Sequence, residues 1–423
     1  MGTAVVGSTV RRRGLLVTFG ATGLGGLAGC LGSVGSGGSG ATTEASTPTP
    51  RSVTTGFGDV TLPVEGSEMR TALQKDGIPA ITEPAFGTDW SDWSAVPEHR
   101  PDDPPALDDA APVVGVERVD EARAYPLRIL DHHEVVNDVF EPRSKARRTA
   151  SDGGFGGPLL VTYCPLCGSA VVAVREVRDG ETVFGGPGSD ATGASKEVVT
   201  AFGVSGKLWR NDLVLYDEAT DSLWSQLLAT AIRGPATGDR LELVPASLST
   251  WGEWREAHPD TRVLLPPPGS VTVDGRDSRH EYDLSKYGYE GERQVVGYDS
   301  SAEYTLVVGI VHDGEAVAYP FDAVRTAGAV NDRVGDLPVV AAATPGGSLV
   351  AYERAVDGET LRFSAAGDRH LRAGGSRWER TTGRAVDGPR EGMRLARANE
   401  RSPLFRRAWE DFHPESRVWS PSG

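Results

Sequence analysis

Most apolar residues of this chain fall in short runs bounded by turn formers. Residues 113–117, 159–163, 170–174 and 213–216 are such runs, and each predicts a β-strand. Two stretches predict helix instead. Residues 126–140 place Pro126 at a first turn and carry apolar residues at Leu127, Leu130, Val135, Val136 and Val139. Residues 249–257 offer Ser249 or Thr250 as a cap before Trp251 and Trp254, and they stop ahead of Pro259. The pattern predicts an α+β fold, predominantly β.

The pattern then returns. Val113-Val114-Gly115-Val116, Ala124-Tyr125-Pro126 and Val136-Asn137-Asp138 are echoed by Val307-Val308-Gly309-Ile310, Ala318-Tyr319-Pro320 and Val330-Asn331-Asp332. Ile232-Arg233-Gly234-Pro235 is echoed by Val386-Asp387-Gly388-Pro389. Trp254, His258-Pro259 and Arg262-Val263 are echoed by Trp409, His413-Pro414 and Arg417-Val418. Matching order and spacing predict a tandem duplication of one mixed unit. Copy one covers 112–265 and copy two 304–419, with a linker at 266–303 and a lead-in at 57–111. Residues 141–157 and 185–200 are absent from copy two and read as surface loops. Trp224 and Trp378 persist in both copies and read as core.

Composition changes the picture at the ends and at the surface. Acidic residues outnumber basic ones 59 to 43. Lysine is confined to Lys75, Lys145, Lys196, Lys207 and Lys286. That balance disfavours nucleic acid and anionic membrane surfaces as partners, and it fits a halophile, where salt screens self-repulsion, as well as an ordinary acidic protein from a GC-rich genome. Residues 1–30 read as a targeting segment. Arg11-Arg12-Arg13 precede an apolar run, as in a twin-arginine signal, and Leu27-Ala28-Gly29-Cys30 forms a lipobox. The expectation is export, lipidation of Cys30, and a place on the outer face of the cytoplasmic membrane, held there by the lipid. Residues 31–56 read as a flexible Gly/Ser/Thr/Pro tether.

The two copies differ most where chemistry could sit. Copy one has Cys164-Pro165-Leu166-Cys167-Gly168-Ser169; copy two has Thr344-Pro345-Gly346-Gly347-Ser348. A Cys-x-x-Cys turn between two strands is the setting of a metal knuckle, and the same spacing serves thiol redox proteins. Cys164 and Cys167 are accordingly the catalytic candidates if the chemistry is redox. His132 and His133 also vanish from copy two, as Thr326 and Ala327. Loss of thiols and imidazole together suggests one site of Cys164, Cys167 and His133. Glu134 would be a fourth ligand or would orient the imidazole. On a helix, His133 and Asn137 would share a face. A Cys₂His set on an exported protein suits Cu(I) or Zn(II). Export equally allows a plain Cys164–Cys167 disulfide within a non-catalytic binding module. Ser205, Tyr216, Asp217 and Gln226 are further polar candidates.

In Asp76-Gly77-Ile78-Pro79, Tyr125-Pro126, His133-Glu134-Val135-Val136-Asn137-Asp138 and Thr162-Tyr163-Cys164-Pro165-Leu166-Cys167-Gly168 the chain resembles the domain of unknown function 3179 family. Phe202-Gly203-Val204-Ser205-Gly206, Leu223-Trp224-Ser225-Gln226 and Thr250-Trp251 extend the resemblance over nearly all of the folded part. The insertion at 185–200 departs from the family pattern close to Phe202. The resemblance implies no particular activity.

Overall fold

The computed structural model describes residues 49–91, 107–118, 121–140, 157–178, 197–267, 269–273, 304–399 and 401–421. The targeting segment, Cys30 and the tether as far as residue 48 lie outside them, as do the insertions at 141–156 and 179–196 and the linker at 274–303. Among the described residues no helix is long and apolar enough to cross a membrane.

The chain is mostly β, with four short helices among the described residues: α1 (Leu127–His133), α2 (Trp251–Ala257), α3 (Phe321–Ala327) and α4 (Arg406–Phe412). Among the described residues six sheets of three or more strands, mainly antiparallel, follow one another along it, the count of a six-bladed β-propeller. The first is built on Pro112–Arg118 and Glu121–Pro126, flanked by Ala246–Thr250. The second is Val135–Phe140, Gly157–Cys164 and Ser169–Val174. The third is Phe202–Trp209, Asp212–Asp217, Leu223–Ser225 and Thr230–Arg233. The fourth pairs Leu306–His312 with Glu315–Pro320, the fifth joins Val330–Val334, Leu337–Ala343 and Leu349–Glu353, and the sixth joins Ser364–Ala365, His370–Ala373 and Ser376–Glu379.

This corrects the expectation of a repeated mixed unit. The sheets of the two halves share their cores, so neither half is a self-contained α+β layer. A central cluster draws Val113, Val161, Val308 and Val339 from the first, second, fourth and fifth sheets. Strand alternation explains how the other sheets attach. In Gly157–Cys164, Leu159, Val161 and Tyr163 enter the central cluster, while Leu160 and Cys164 face a second cluster with Val204 and Trp224 of the third sheet. In Leu337–Ala343, Val339, Ala341 and Ala343 face the centre, and Val340 and Ala342 pack with Trp378 of the sixth sheet. These strands bury both faces, which is why they read as continuous apolar runs.

The echoed landmarks nonetheless take matching places. Tyr125 donates to Asp138 at 2.5 Å and Tyr319 to Asp332 at 2.9 Å. Asn137 accepts from the Phe202 N–H at 2.8 Å and donates to the Phe202 carbonyl at 2.9 Å; Asn331 does the same to Phe363, both at 2.8 Å. Trp254 lies so close over Gly115, and Trp409 over Gly309, that a Cβ at either glycine would collide with the indole.

The long helix expected over 126–140 is a second correction. α1 stops at His133 because Glu134 turns left-handed, φ 53°, and Val135–Phe140 continues as strand. The β-branched Val135 and Val136 favour that outcome, since each packs on a different sheet face. His133 and Asn137 therefore do not share a helix face. The helix expected at 249–257 forms as α2, with the Thr250 hydroxyl accepting from the Glu253 N–H. Lead-in and tether contribute strands rather than coil. Arg51–Thr55 pairs with Gly58–Leu62, and Arg70–Thr71, Ile81–Glu83 and Phe86–Gly87 add to the third, second and first sheets.

The halves also exchange contacts. The turn of copy one, at Cys164 to Ser169, docks on the start of α4: the Phe405 N–H donates to the Cys167 carbonyl at 2.7 Å. The turn of copy two docks on α2: Thr344 and Ser348 hydroxyls donate to Glu253 at 2.9 and 3.2 Å, and the Gly346 N–H at 3.1 Å.

Candidate functional site

Cys164 ends one strand and pairs with Ser169, which begins the next. Gly168, φ 60°, supplies the left-handed residue the turn needs, and its missing Cβ leaves room for the Phe405 ring, which would lie 2.8 Å away. Both thiols are buried and unbridged. Their sulfurs converge on one acceptor, the Asn211 carbonyl, at 3.9 Å from Cys164 and 3.3 Å from Cys167. Asn211 is held there by a hairpin turn in which Arg210 and Asn211 both have positive φ, 51° and 61°.

The surroundings keep Cys167 protonated. Its hydrogen bond with Cys164, then burial, then the nearby Cys164, Asp212 and Asp411 charges, push the thiol well above its usual range. Asp212 is fully buried, and burial raises its carboxyl to about 7 although Ser225 Oγ, at 2.5 Å, and the Leu227 N–H donate to it. Gln226 closes the back of the turn, donating to Thr162 Oγ1 and the Ser169 carbonyl and accepting from Ser169 Oγ, each at 3.1 Å. This is a sealed dithiol, opposite in character to the electropositive setting of a reactive cysteine.

His133 is fully buried at the end of α1, and burial lowers it to about 4. The neutral ring must donate from Nδ1 to the Pro79 carbonyl, 2.6 Å away. That bond joins two motifs 54 residues apart. Beside it, burial raises Asp131 to about 7, and burial with the Asp131 charge raises Glu134 to about 7. Asp131 Oδ1 is buried without a hydrogen-bond partner. His132 is half-buried next to them.

The remaining candidates are tied down separately. Ser205 Oγ donates to the Val214 carbonyl at 2.5 Å and accepts from the Lys207 N–H. Asp217 accepts from Thr220 and from Trp224 Nε1 at 2.9 Å. Tyr216 donates to Asp76 at 2.9 Å, with the Lys75 ammonium 3.6 Å from its ring centre. Tyr216 stands four strand residues from Asp212, roughly 13 Å from the thiol end.

Among the described residues, His312, Asp313 and Asp336 form the group of three His, Cys, Asp or Glu residues whose donor atoms lie within 4.8 Å of one another, and they could hold a metal ion. They lie at hairpin turns of the fourth and fifth sheets, with Asp313 and Asp336 exposed and His312 half-buried at a strand end, and His312 Nε2 already meets Asp336 at 2.7 Å. Cys164, Cys167 and His133 do not form such a group. Sequence reasoning missed Asp131, Asp212 and the His312 cluster. Asp131 adjoins His132-His133-Glu134 and carried a signal; Asp212 begins a strand and His312 ends one, each beside a hairpin turn, and they carried none.

Six mainly antiparallel sheets and a dithiol turn covered by the opposite half define a β protein of propeller type. The chain belongs to the family described as Protein of unknown function (DUF3179), whose model matches residues 75–416. No curated protein and no solved structure matches it.

Proposed function

We propose that the chain is a lipid-anchored binding protein on the outer face of the cytoplasmic membrane, and that Cys164 and Cys167 form a thiol–disulfide lock at the joint between its halves. The observation that carries this is the convergence of both buried sulfurs on Asn211 O, in the turn that also holds Phe405. A raised Cys167 thiol works against zinc or copper, which must displace the protons at neutral pH. It favours the disulfide once formed, because a poor thiolate is a poor leaving group. In closing, each thiol gives up one proton and one electron and the S–S bond forms. A small disulfide oxidant takes both and leaves as two thiols.

The test is a count of free thiols under denaturing conditions, paired with metal analysis, on protein purified without chelator or reductant. The expected result is no free thiol at Cys164 or Cys167, no bound metal, and a fall in melting temperature on reduction that Cys164→Ser/Cys167→Ser abolishes. Stoichiometric zinc or copper, lost in that variant, would instead establish the metal reading.

A second reading rests on the end of α1. Carboxyls raised to about 7 at Asp131 and Glu134 are matched to proton transfer near neutral pH. Carboxyl NMR titration checks it: midpoints near 7 support a general acid–base role, and midpoints near 4 remove it.

A further inference from the structure

The hairpin turns of the fourth and fifth sheets meet, and they bring three ligand-bearing side chains together. His312 pairs across its hairpin with Glu315, and Asp313 and Gly314 between them have positive φ, 49° and 76°. Val334 pairs with Leu337, so Gly335, φ 56°, and Asp336 form the second turn. The approach of the two turns depends on that glycine, because a Cβ there would press on Asp313 and on the His312 carbonyl. The Gly335 N–H donates to the Glu315 carboxylate at 2.9 Å and ties one turn to the other.

His312 Nε2 lies 2.7 Å from the Asp336 carboxylate and 3.8 Å from that of Asp313, and the nitrogen and both carboxylates have donor atoms within 4.8 Å of one another. A neutral imidazole has one N–H to share between two carboxylates, and a protonated one offsets one of their two charges. A divalent ion accounts for the nitrogen and both carboxylates together. Donors of one tetrahedral zinc, each ~2.0–2.2 Å from it, lie roughly 3.3–3.5 Å apart, and the two distances at Nε2 bracket that spacing. The Asp313 and Asp336 side chains are 62% and 81% exposed, so an ion reaches their oxygens directly from solvent. Arg333, the cation beside the second turn, directs its guanidinium to the Asp336 backbone carbonyl at 2.5 Å. The matching hairpin of the first half puts a cation where the imidazole stands: Arg118 pairs with Glu121 as His312 pairs with Glu315. The hairpin thus forms without histidine at this place, and His312 is not required for the fold.

We propose that His312, Asp313 and Asp336 bind one divalent cation of the zinc class, with water completing its coordination. The imidazole favours such an ion over calcium or magnesium, which take oxygen donors. The neutral ring carries its proton on Nδ1 and ligates through Nε2. The site does not depend on the thiols. Its exposure lets the ion exchange with solvent, so it is filled by added zinc and not carried through purification, whereas zinc held between two buried thiols would be carried through.

The experiment titrates zinc chloride into the chelator-stripped full-length chain, read by calorimetry and by melting temperature. It is repeated on Cys164→Ser/Cys167→Ser, His312→Ala and Asp336→Asn. The expected result is one saturable site and a melting temperature that rises with zinc, both kept in the double cysteine variant. His312→Ala and Asp336→Asn should each weaken binding at least about tenfold, since even a residue that only orients a ligand is worth that much. Their melting temperatures without zinc should stay near that of the native chain, because the contacts removed are exposed. No saturable binding up to millimolar zinc overturns the proposal. So does unchanged affinity in both His312→Ala and Asp336→Asn, which places the ion elsewhere, and so does binding lost with the cysteines alone, which assigns it to the thiols. Calcium bound as tightly as zinc overturns the choice of ion.

Discussion

Replacing Asp212 with Asn should remove its part of the pH dependence of stability. Asp212 is completely buried, and its carboxyl is raised from 3.8 to about 7 by burial. A raised folded-state value means that the native chain holds a proton the unfolded chain has released. The stability from this group is therefore full below pH 3.8 and is lost as pH rises towards 7. Each pH unit in that window is worth about 1.4 kcal/mol, so between pH 5 and pH 8 the native protein should lose about 3 kcal/mol through Asp212. The Asn variant cannot titrate. It keeps an acceptor for the Leu227 N–H and gains a donor for Ser225 Oγ, so its intrinsic cost should be about 1 kcal/mol. The variant should be slightly weaker than the native chain at pH 5 and stronger at pH 8. Urea unfolding of both reduced proteins at fixed ionic strength, followed by tryptophan fluorescence, measures the difference. Asp131 and Glu134 titrate in both proteins and cancel in it. A stability difference that stays constant from pH 5 to pH 8 would refute the reasoning, because Asp212 would then ionise as an ordinary carboxyl.

Other expectations follow from single contacts. Gly168→Ala should cost about 2 kcal/mol in thermal or urea unfolding, because it places a Cβ at φ 60° and 2.8 Å from the Phe405 ring; an unchanged midpoint contradicts the docking of the turn on α4. Asn137→Ala should destabilise by about 3 kcal/mol, leaving the Phe202 N–H and carbonyl unpaired, and Asn331→Ala by less, since Asn331 is only half-buried. Equal costs would mean that burial does not set the difference. Cys30→Ser should release the chain from the membrane fraction, and unchanged retention would point to an anchor other than lipid.

Strand positions were legible because apolar runs, turn residues and β-branched side chains agreed at residues 113–117, 159–163 and 213–216. The boundary inside 126–140 was not legible. Leu127 and Leu130 carry a helical period and Val135 and Val136 fit either state, so the decision rested on Glu134 adopting positive φ, which no composition rule favours. The number of sheets was hidden for a different reason. Repeated landmarks show what is repeated locally, but which sheets share a core depends on register and on both faces of Gly157–Cys164 being buried. The joint loss of His133 and the cysteines from copy two suggested one shared site. In the fold the His133 ring binds the Pro79 carbonyl and both sulfurs meet the Asn211 carbonyl, while the Tyr163 N–H donates to the Glu134 carbonyl between them. Carboxyl groups such as Asp212 act through burial alone, and burial is not written in neighbouring residues.

The exchange of turns between halves bears on when the chain can finish folding. The Cys164 turn is covered by Phe405, some 240 residues later, and Glu253 waits for Thr344 and Ser348. Contacts of such sequence separation form late, since long loops must close before they are rewarded. While the ribosome is still adding residues, the first half has no means of hiding its thiol turn. Completion has to follow release of the C-terminus. A segment that sends a protein abroad only after it has folded would suit that timing, and it would leave Cys164 and Cys167 to be enclosed in a reducing cytoplasm before they meet an oxidant outside.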